Sequence, residues 1–176
     1  MNVSSDPIIS AVDEFVRTPS VQRRITDALQ RVLRQLDSST VQMAWEIVPF
    51  AAFGGRLPES IRSCWVFGIR AGARTGAERH PNSHQRSLSL VGSGIFEVRE
   101  TQGWAPHRLV SEPGAPAGQR WVTIPPATWH RLLVDQQGWG MLSFHTVASD
   151  ELIEETPVDP GDLDGSTHQE RYAGRK

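Results

Sequence analysis

Cysteine and lysine are nearly missing from this sequence: Cys64 is the only cysteine and Lys176 the only lysine among 176 residues. A lone cysteine excludes an internal disulfide and fits a chain kept in a reducing compartment, so a cytoplasmic location is expected. Long apolar runs are missing too, and no segment reaches the roughly 18 residues of a membrane-spanning helix. The first stretch, MNVSSDPIISAVDEF, has neither a basic start nor an extended apolar core, which predicts a soluble, unprocessed chain. The net charge of -2 supplies no positive field to gather a phosphate backbone or an anionic bilayer, so neither nucleic acid nor membrane is expected as a partner. No internal repeat or low-complexity tract is present. The length suits one domain able to bury its core without disulfides or a structural metal.

What is present changes character along the chain. From Asp6 to Leu36 apolar residues recur at helical spacing, through Ile8, Ile9, Val12, Phe15 and Val16, then Val21, Ile25, Leu29, Val32, Leu33 and Leu36. Two helices are predicted, each opened by a first-turn proline, Pro7 behind Asp6 and Pro19. Beyond Val41 the segments are short, rich in Val, Ile, Phe and Trp, and broken by Gly and Pro. Strands are expected near 41–48, 60–71, 78–80, 85–91, 95–100, 104–110, 121–124, 129–134 and 139–146. Hairpin signals stand at Gly92-Ser-Gly94, Gln102-Gly103 and Gln136-Gln-Gly138, and 111–119 reads as a longer loop. The expected class is all-β, a sandwich or barrel behind an N-terminal helical extension. The expected organisation is a helical extension over 1–40, a barrel over 41–150, and an acidic tail over 151–176. That tail has almost no apolar residues to offset its ordering entropy, so it is expected to be loosely held.

The residues that suggest chemistry lie in two places. Glu78 and His80 are two apart, so on a strand they face the same way and could grip one metal ion. His130, about fifty residues on, completes the set if the fold brings it back. His84, four residues after His80, would make a zinc grip only on a helix, which Pro81-Asn-Ser argues against. A turn is expected there instead, after which either His84 or Gln85 faces the interior, the two being exchanged by one residue of register. If Gln85 faces inward, Ser87 and Ser89 join it, while Leu88 and Leu90 pack on the other side.

These segments resemble the cupin superfamily. Gly72-x5-Glu78-x-His80-x4-Gln85-x6-Gly92 keeps the spacing of the first cupin motif, G-x5-H-x-H-x4-E-x6-G, with two ligand positions changed. Pro125-x-Ala127-x2-His130 answers the second motif, P-x-G-x2-H, with the motif's earlier Gly displaced to Gly118 and its closing Asn replaced by Val134. The resemblance covers about residues 60–147 and implies a double-stranded β-helix barrel of the small, RmlC-like kind. It assigns metal-ligand roles to Glu78, His80 and His130, and sets Gln85 where many cupins carry a Glu ligand. Two imidazoles and one carboxylate suit non-haem Fe(II), although Mn, Ni, Co or Zn can take similar donors. The family also implies a homodimer.

Other residues divide between functional and plain structural roles. Arg70 ends a strand on the face of Gly68, Val66 and Cys64, where it could hold a substrate carboxylate, although surface pairing is the commoner fate of an arginine. His145 shares a face with Ser143 and Met141 and is expected as a core or rim histidine, with pocket lining as the alternative. His107 and His168 are expected to be solvated, Cys64 to be a small buried side chain, and the six Trp to pack the core or a dimer contact. The expected function is an Fe(II)-dependent oxygenase (a dioxygenase) acting on a small polar molecule, with Glu78, His80 and His130 on the metal and Gln85, His84 and Arg70 placing the substrate. Two alternatives stand beside it: a non-oxidative metal enzyme (isomerase, lyase or hydrolase), and a metal-free cupin that binds a small molecule.

Overall fold

The computed structural model describes residues 6–54 and 57–172. Two helices open the chain, α1 (Pro7–Val16) and α2 (Pro19–Asp37), both starting at the prolines that announce them. The Asp6 carboxylate caps α1 by accepting from the Ile8 amide at 2.9 Å. The same carboxylate pairs with the buried Arg86 at 2.8 Å, and Asp13 of α1 accepts both guanidinium N–H groups of Arg120 and the Trp121 indole N–H, each at 2.7 Å. Charged hydrogen bonds thus pin α1 to the barrel. Helix α2 turns Val21, Ile25, Ala28, Leu29, Val32 and Leu36 inward. It packs on β1 (Met43–Ile47) and β2 (Ser63–Ile69), where Gly68 leaves room: a Cβ there would stand 3.1 Å from Val32 and Leu33.

The barrel continues with β3 (Gln85–Glu100), β4 (Gly103–Val110), β5 (Trp121–Ile124) and β6 (His130–His145). All pairings are antiparallel, in the order β1-β2-β6-β3-β4, with β5 also on β3. The Gln102-Gly103 hairpin forms as expected between β3 and β4. The other two hairpin signals are corrected. Gly92-Ser-Gly94 and Gln136-Gln-Gly138 lie inside two continuous 16-residue strands, at bulges where the β3–β6 register shifts. Gly92 and Gly138 both take φ of +74°, and a Cβ on Gly92 would come within 2.1 Å of the Gly138 carbonyl oxygen, so the two bends meet where only glycine fits.

These bulges reverse which side chains face inward. Before them Gln85, Ser87 and Ser89 face the interior and Leu88 packs toward the helices; after them Phe96 and Val98 join the interior core with Leu132, Val134, Trp139 and Met141. Gln85, not His84, is therefore the inward residue.

The stretch expected to be a loose tail is a hairpin, β7 (Ile153–Pro157) with β8 (Thr167–Arg171). Its composition is polar, as the sequence indicates, but Leu152 and Tyr172 bury themselves against Trp65 and Phe67, and backbone pairing of Arg79 with Glu155 ties it to the barrel. These contacts supply the ordering energy that composition alone hides. Residues 173–176 of that stretch, and 1–5 of the helical extension, lie outside the described residues. Among the described residues no helix is long and apolar enough to cross a membrane.

Candidate metal centre

Glu78 and His80 sit on a short extended segment laid between β6 and β7. Glu78 forms an antiparallel bridge with His130, and Arg79 one with Glu155. Alternation then turns Arg79 outward, to Glu155 at 2.6 Å and over the Trp129 ring at 4.4 Å, while Glu78 and His80 turn in. His130 opens β6 and arrives at the same point. Donor atoms of Glu78, His80 and His130 all lie within 4.8 Å of one another.

The hydrogen bonds fix how the two imidazoles present themselves. His80 Nδ1 is 3.0 Å from the Ile153 carbonyl and His130 Nδ1 is 3.1 Å from the Thr128 carbonyl. A carbonyl only accepts, so each Nδ1 carries a proton and Nε2 is the ring nitrogen left to meet a cation. His130 Nε2 is buried with no hydrogen-bond partner among the described residues, 3.5 Å from Glu78 Oε1. Two donors bound about 2.1 Å from one ion stand about 3.0–3.5 Å apart in cis positions, so this spacing fits a shared cation. The residues present fit a metal: an orphaned buried nitrogen, two oriented rings and one carboxylate.

Around this cluster lies a polar column on neighbouring rungs of the sheet. Gln85 pairs in register with His145, which pairs in turn with Ser63; Ser87 pairs with Ser143, and Ser143 with Trp65. Gln85 Nε2 donates to Ser87 Oγ at 3.1 Å, and the Ser87 and Ser143 hydroxyls are 2.7 Å apart. Gln85 Oε1, Ser63 Oγ and Trp65 Nε1 are buried without a hydrogen-bond partner among the described residues. His145 is fully buried, its ring edge-on to His80 with centroids 5.1 Å apart and its Nδ1 3.3 Å from Ser83 Oγ. Burial, and after it the neighbouring His80 and His130, push its pKa well below the ordinary imidazole value, so it is neutral.

Two expected substrate contacts lie elsewhere. The face Arg70 shares with Gly68, Val66 and Cys64 is the helix-packing side. Its guanidinium donates to the backbone carbonyls of Val41 (2.8 Å), Ser39 and Leu36, closing the C-terminal end of α2. His84 is not among the clustered donors, and the charges it feels are those of Arg86 and Asp6; burial and then Arg86 lower its pKa.

Sequence reasoning missed three contributors, all in the C-terminal hairpin. They are the Ile153 carbonyl on His80, the buried Glu154 that register sets beside His80, and Tyr172, whose ring centroid is 6.1 Å from that of His80. The one available signal was Tyr172 itself, the only tyrosine of the chain, placed in an otherwise polar stretch.

No protein-family model and no curated protein matches the sequence. Solved structures do match in fold. They include a variant of the salicylate 1,2-dioxygenase of Pseudoaminobacter salicylatoxidans in complex with gentisate, at 16% identity and a TM-score of 0.50, covering 69% of this chain and 31% of that one. The 11S globulin of Wrightia tinctoria, with an auxin binding site, matches at 14% identity and a TM-score of 0.51 over 67% of this chain and 28% of that one. The coconut allergen cocosin matches at 14% and 0.51, over 67% and 29%. This chain spans about three tenths of the length of such structures, and the likeness is one of fold, an all-β cupin barrel, to which this chain's own α1 and α2 add an N-terminal helical extension.

Proposed function

On a cupin barrel whose Glu78, His80 and His130 converge, we propose a metal-dependent enzyme, a mononuclear non-haem Fe(II) oxygenase acting on a small polar molecule. The observation that carries this reading is His130 Nε2, buried without a hydrogen-bond partner among the described residues and 3.5 Å from Glu78 Oε1, while the Nδ1 atoms of His80 and His130 are committed to backbone carbonyls. Glu78, His80 and His130 would hold Fe(II), which would supply a redox-active centre, and Mn, Ni, Co or Zn could take the same donors.

The chain's own residues do the rest. Glu78 contributes the one negative charge among the three donors. The Ile153 and Thr128 carbonyls hold the rings at a fixed angle. Gln85 Oε1 offers an acceptor and Trp65 Nε1 a donor to a bound molecule, and neutral His145 completes the polar wall. Phe96, 6.0 Å from the His130 ring, keeps water from the other side. The buried arginines, Arg86 and Arg120, are both spent on α1, so the column itself favours an uncharged polar substrate.

Elemental analysis after anaerobic Fe(II) reconstitution tests the metal. About one iron per chain is expected in the wild type, with loss in His80→Ala and His130→Ala; no bound metal, or metal unchanged in both variants, sinks the reading. Oxygen uptake with candidate substrates separates an oxygenase from non-oxidative metal chemistry. A metal-free binding protein is the second reading, favoured by Gln85, whose amide donates to Ser87 in place of an anionic fourth ligand. Ligand-dependent thermal shifts indifferent to chelator would support it. The proposal also carries a homodimer in the cytoplasm, tested by sedimentation and cell fractionation.

A further inference from the structure

The hairpin that follows the barrel meets the candidate ligand His80 through the Ile153 carbonyl, beside Glu154 and Tyr172. His80 Nδ1 donates to the Ile153 carbonyl at 3.0 Å, so the tautomer of a ligand is held by a segment outside the barrel's own sheet. That segment is fastened by a small number of contacts. Asn82, an exposed residue, grips it on both sides of Leu152: Nδ2 donates to the Glu151 carbonyl at 2.8 Å, and Oδ1 accepts from the Ile153 amide at 3.2 Å. Arg79 and Glu155 exchange backbone hydrogen bonds at 3.0 and 2.9 Å. The Trp129 indole donates to the Leu163 carbonyl at 3.0 Å. Leu152 and Tyr172 are the buried apolar anchors, with the Tyr172 ring 5.1 Å from Trp65 and 5.4 Å from Trp45.

We infer that residues 152–172 form a metal-responsive latch: the docked hairpin holds His80 in its ligating tautomer, and a cation on His80 tightens the docking. The inference rests on Glu78, His80 and His130 being a metal centre. One physical link is the hydrogen bond from His80 Nδ1 to the Ile153 carbonyl. A cation on Nε2 withdraws electron density from the ring and makes Nδ1–H a stronger donor to Ile153, as charge assistance does elsewhere. Coupling between two binding events is reciprocal, so whatever the hairpin adds to metal affinity, the metal returns to the hairpin. The segment also offers a range for that response, since only Leu152 and Tyr172 anchor it through apolar burial, and such lightly held units open locally before the rest of the fold.

Co(II) serves as the probe, with the full chain and three measurements. Hydrogen exchange is followed across 153–157 and 167–171 with and without Co(II). Co(II) affinity comes from its d–d absorbance in competition with a chelator. The His80 tautomer is read from the ring nitrogen shifts in long-range proton–nitrogen spectra of the apo protein. Co(II) is expected to slow exchange in 153–157 severalfold. Asn82→Ala, a mild surface change, is expected to weaken Co(II) binding severalfold and to give His80 a mixture of tautomers. Tyr172→Ala is expected to weaken binding by about tenfold or more, the range typical of lost support behind a ligating histidine. Arg31→Ala breaks a surface pair with Glu46 away from the hairpin and should leave affinity unchanged. If Tyr172→Ala does not fold, Asn82→Ala decides alone. Failure of the wild type to take up Co(II) overturns the metal centre and the latch together. Uptake with unchanged exchange in 153–157, and with wild-type affinity and a single His80 tautomer in Asn82→Ala, overturns the latch and leaves the metal centre standing.

Discussion

Glu78 and His130 exchange both backbone hydrogen bonds, each at 2.9 Å, and carry their side chains to the same point, Glu78 Oε1 lying 3.5 Å from His130 Nε2. The backbone pair sets the donor spacing, so the carboxylate can be altered without moving the ring. Glu78→Gln keeps the shape but removes the anionic donor, and should lower Fe(II) or Co(II) affinity by more than the roughly 100-fold upper figure for residues that only support a ligand. Isothermal titration on the apo protein checks this, and unaltered affinity would remove Glu78 from the site.

Arg70 was expected from the sequence beside the substrate and is found closing α2. Arg70→Ala should therefore cost stability, about 1–2 kcal/mol from lost charged hydrogen bonds at a helix C-terminus. Metal affinity should stay as in the wild type. Urea denaturation read beside a metal titration distinguishes this from a role in the pocket, which would reverse the pattern.

Asp13 joins α1 to the barrel and responds to pH. Burial raises its pKa, but hydrogen bonds from Arg120 and Trp121 and the charges of Arg120 and Arg17 outweigh it and hold the carboxyl below the ordinary 3.8. A carboxyl whose folded pKa is depressed adds stability above its unfolded value and loses that contribution as pH falls through the folded one. The wild type should thus lose stability below about pH 4. Asp13→Ala should lose about 3 kcal/mol at pH 7, because Arg120 remains buried without its partner, and should show a shallower further loss in acid. Equal acid slopes in thermal melts of the two proteins would argue against this assignment.

Ala127 stands at φ +57°, the left-handed region, at the turn whose amide donates to the His80 carbonyl at 3.0 Å. An L-residue there costs about 1–2 kcal/mol, and glycine gives back about 0.4–1 kcal/mol of that through the freer unfolded chain. Ala127→Gly should therefore stabilise the protein by about 0.5–1 kcal/mol, visible as a rise of a few degrees in Tm. A fall in Tm would mean that the methyl group packs better than the backbone suffers.

Much of this molecule could be read before folding. The two prolines placed both helices, the alternation at Glu78 and His80 turned two candidate donors the same way, and the resemblance of Pro125-x-Ala127-x2-His130 to the second cupin motif named the third. The legible features were local, or matched a family pattern. What stayed hidden depended on contacts between distant segments. Whether Gly92-Ser-Gly94 turns back or bulges depends on whether β6 runs alongside, and no window around Gly92 contains that information. Arg70 was misplaced because its face is named by α2, which lies more than thirty residues earlier. The hairpin was hidden because two buried side chains, Leu152 and Tyr172, outweigh a composition that otherwise reads as solvated.

The Gln136-Gln-Gly138 bend looks like the most dispensable part of β6, a polar surface corner. Yet His130 and His145 are an odd number of positions apart on one strand, and simple alternation would send them to opposite sides of the sheet. The bend shifts the phase of the strand, so that both imidazoles enter the same interior. Residue count there, more than residue identity, decides whether the barrel holds a cluster of histidines or divides it. Surface corners usually tolerate insertions and deletions; in this chain, a change of one residue in that corner would rewrite the inside.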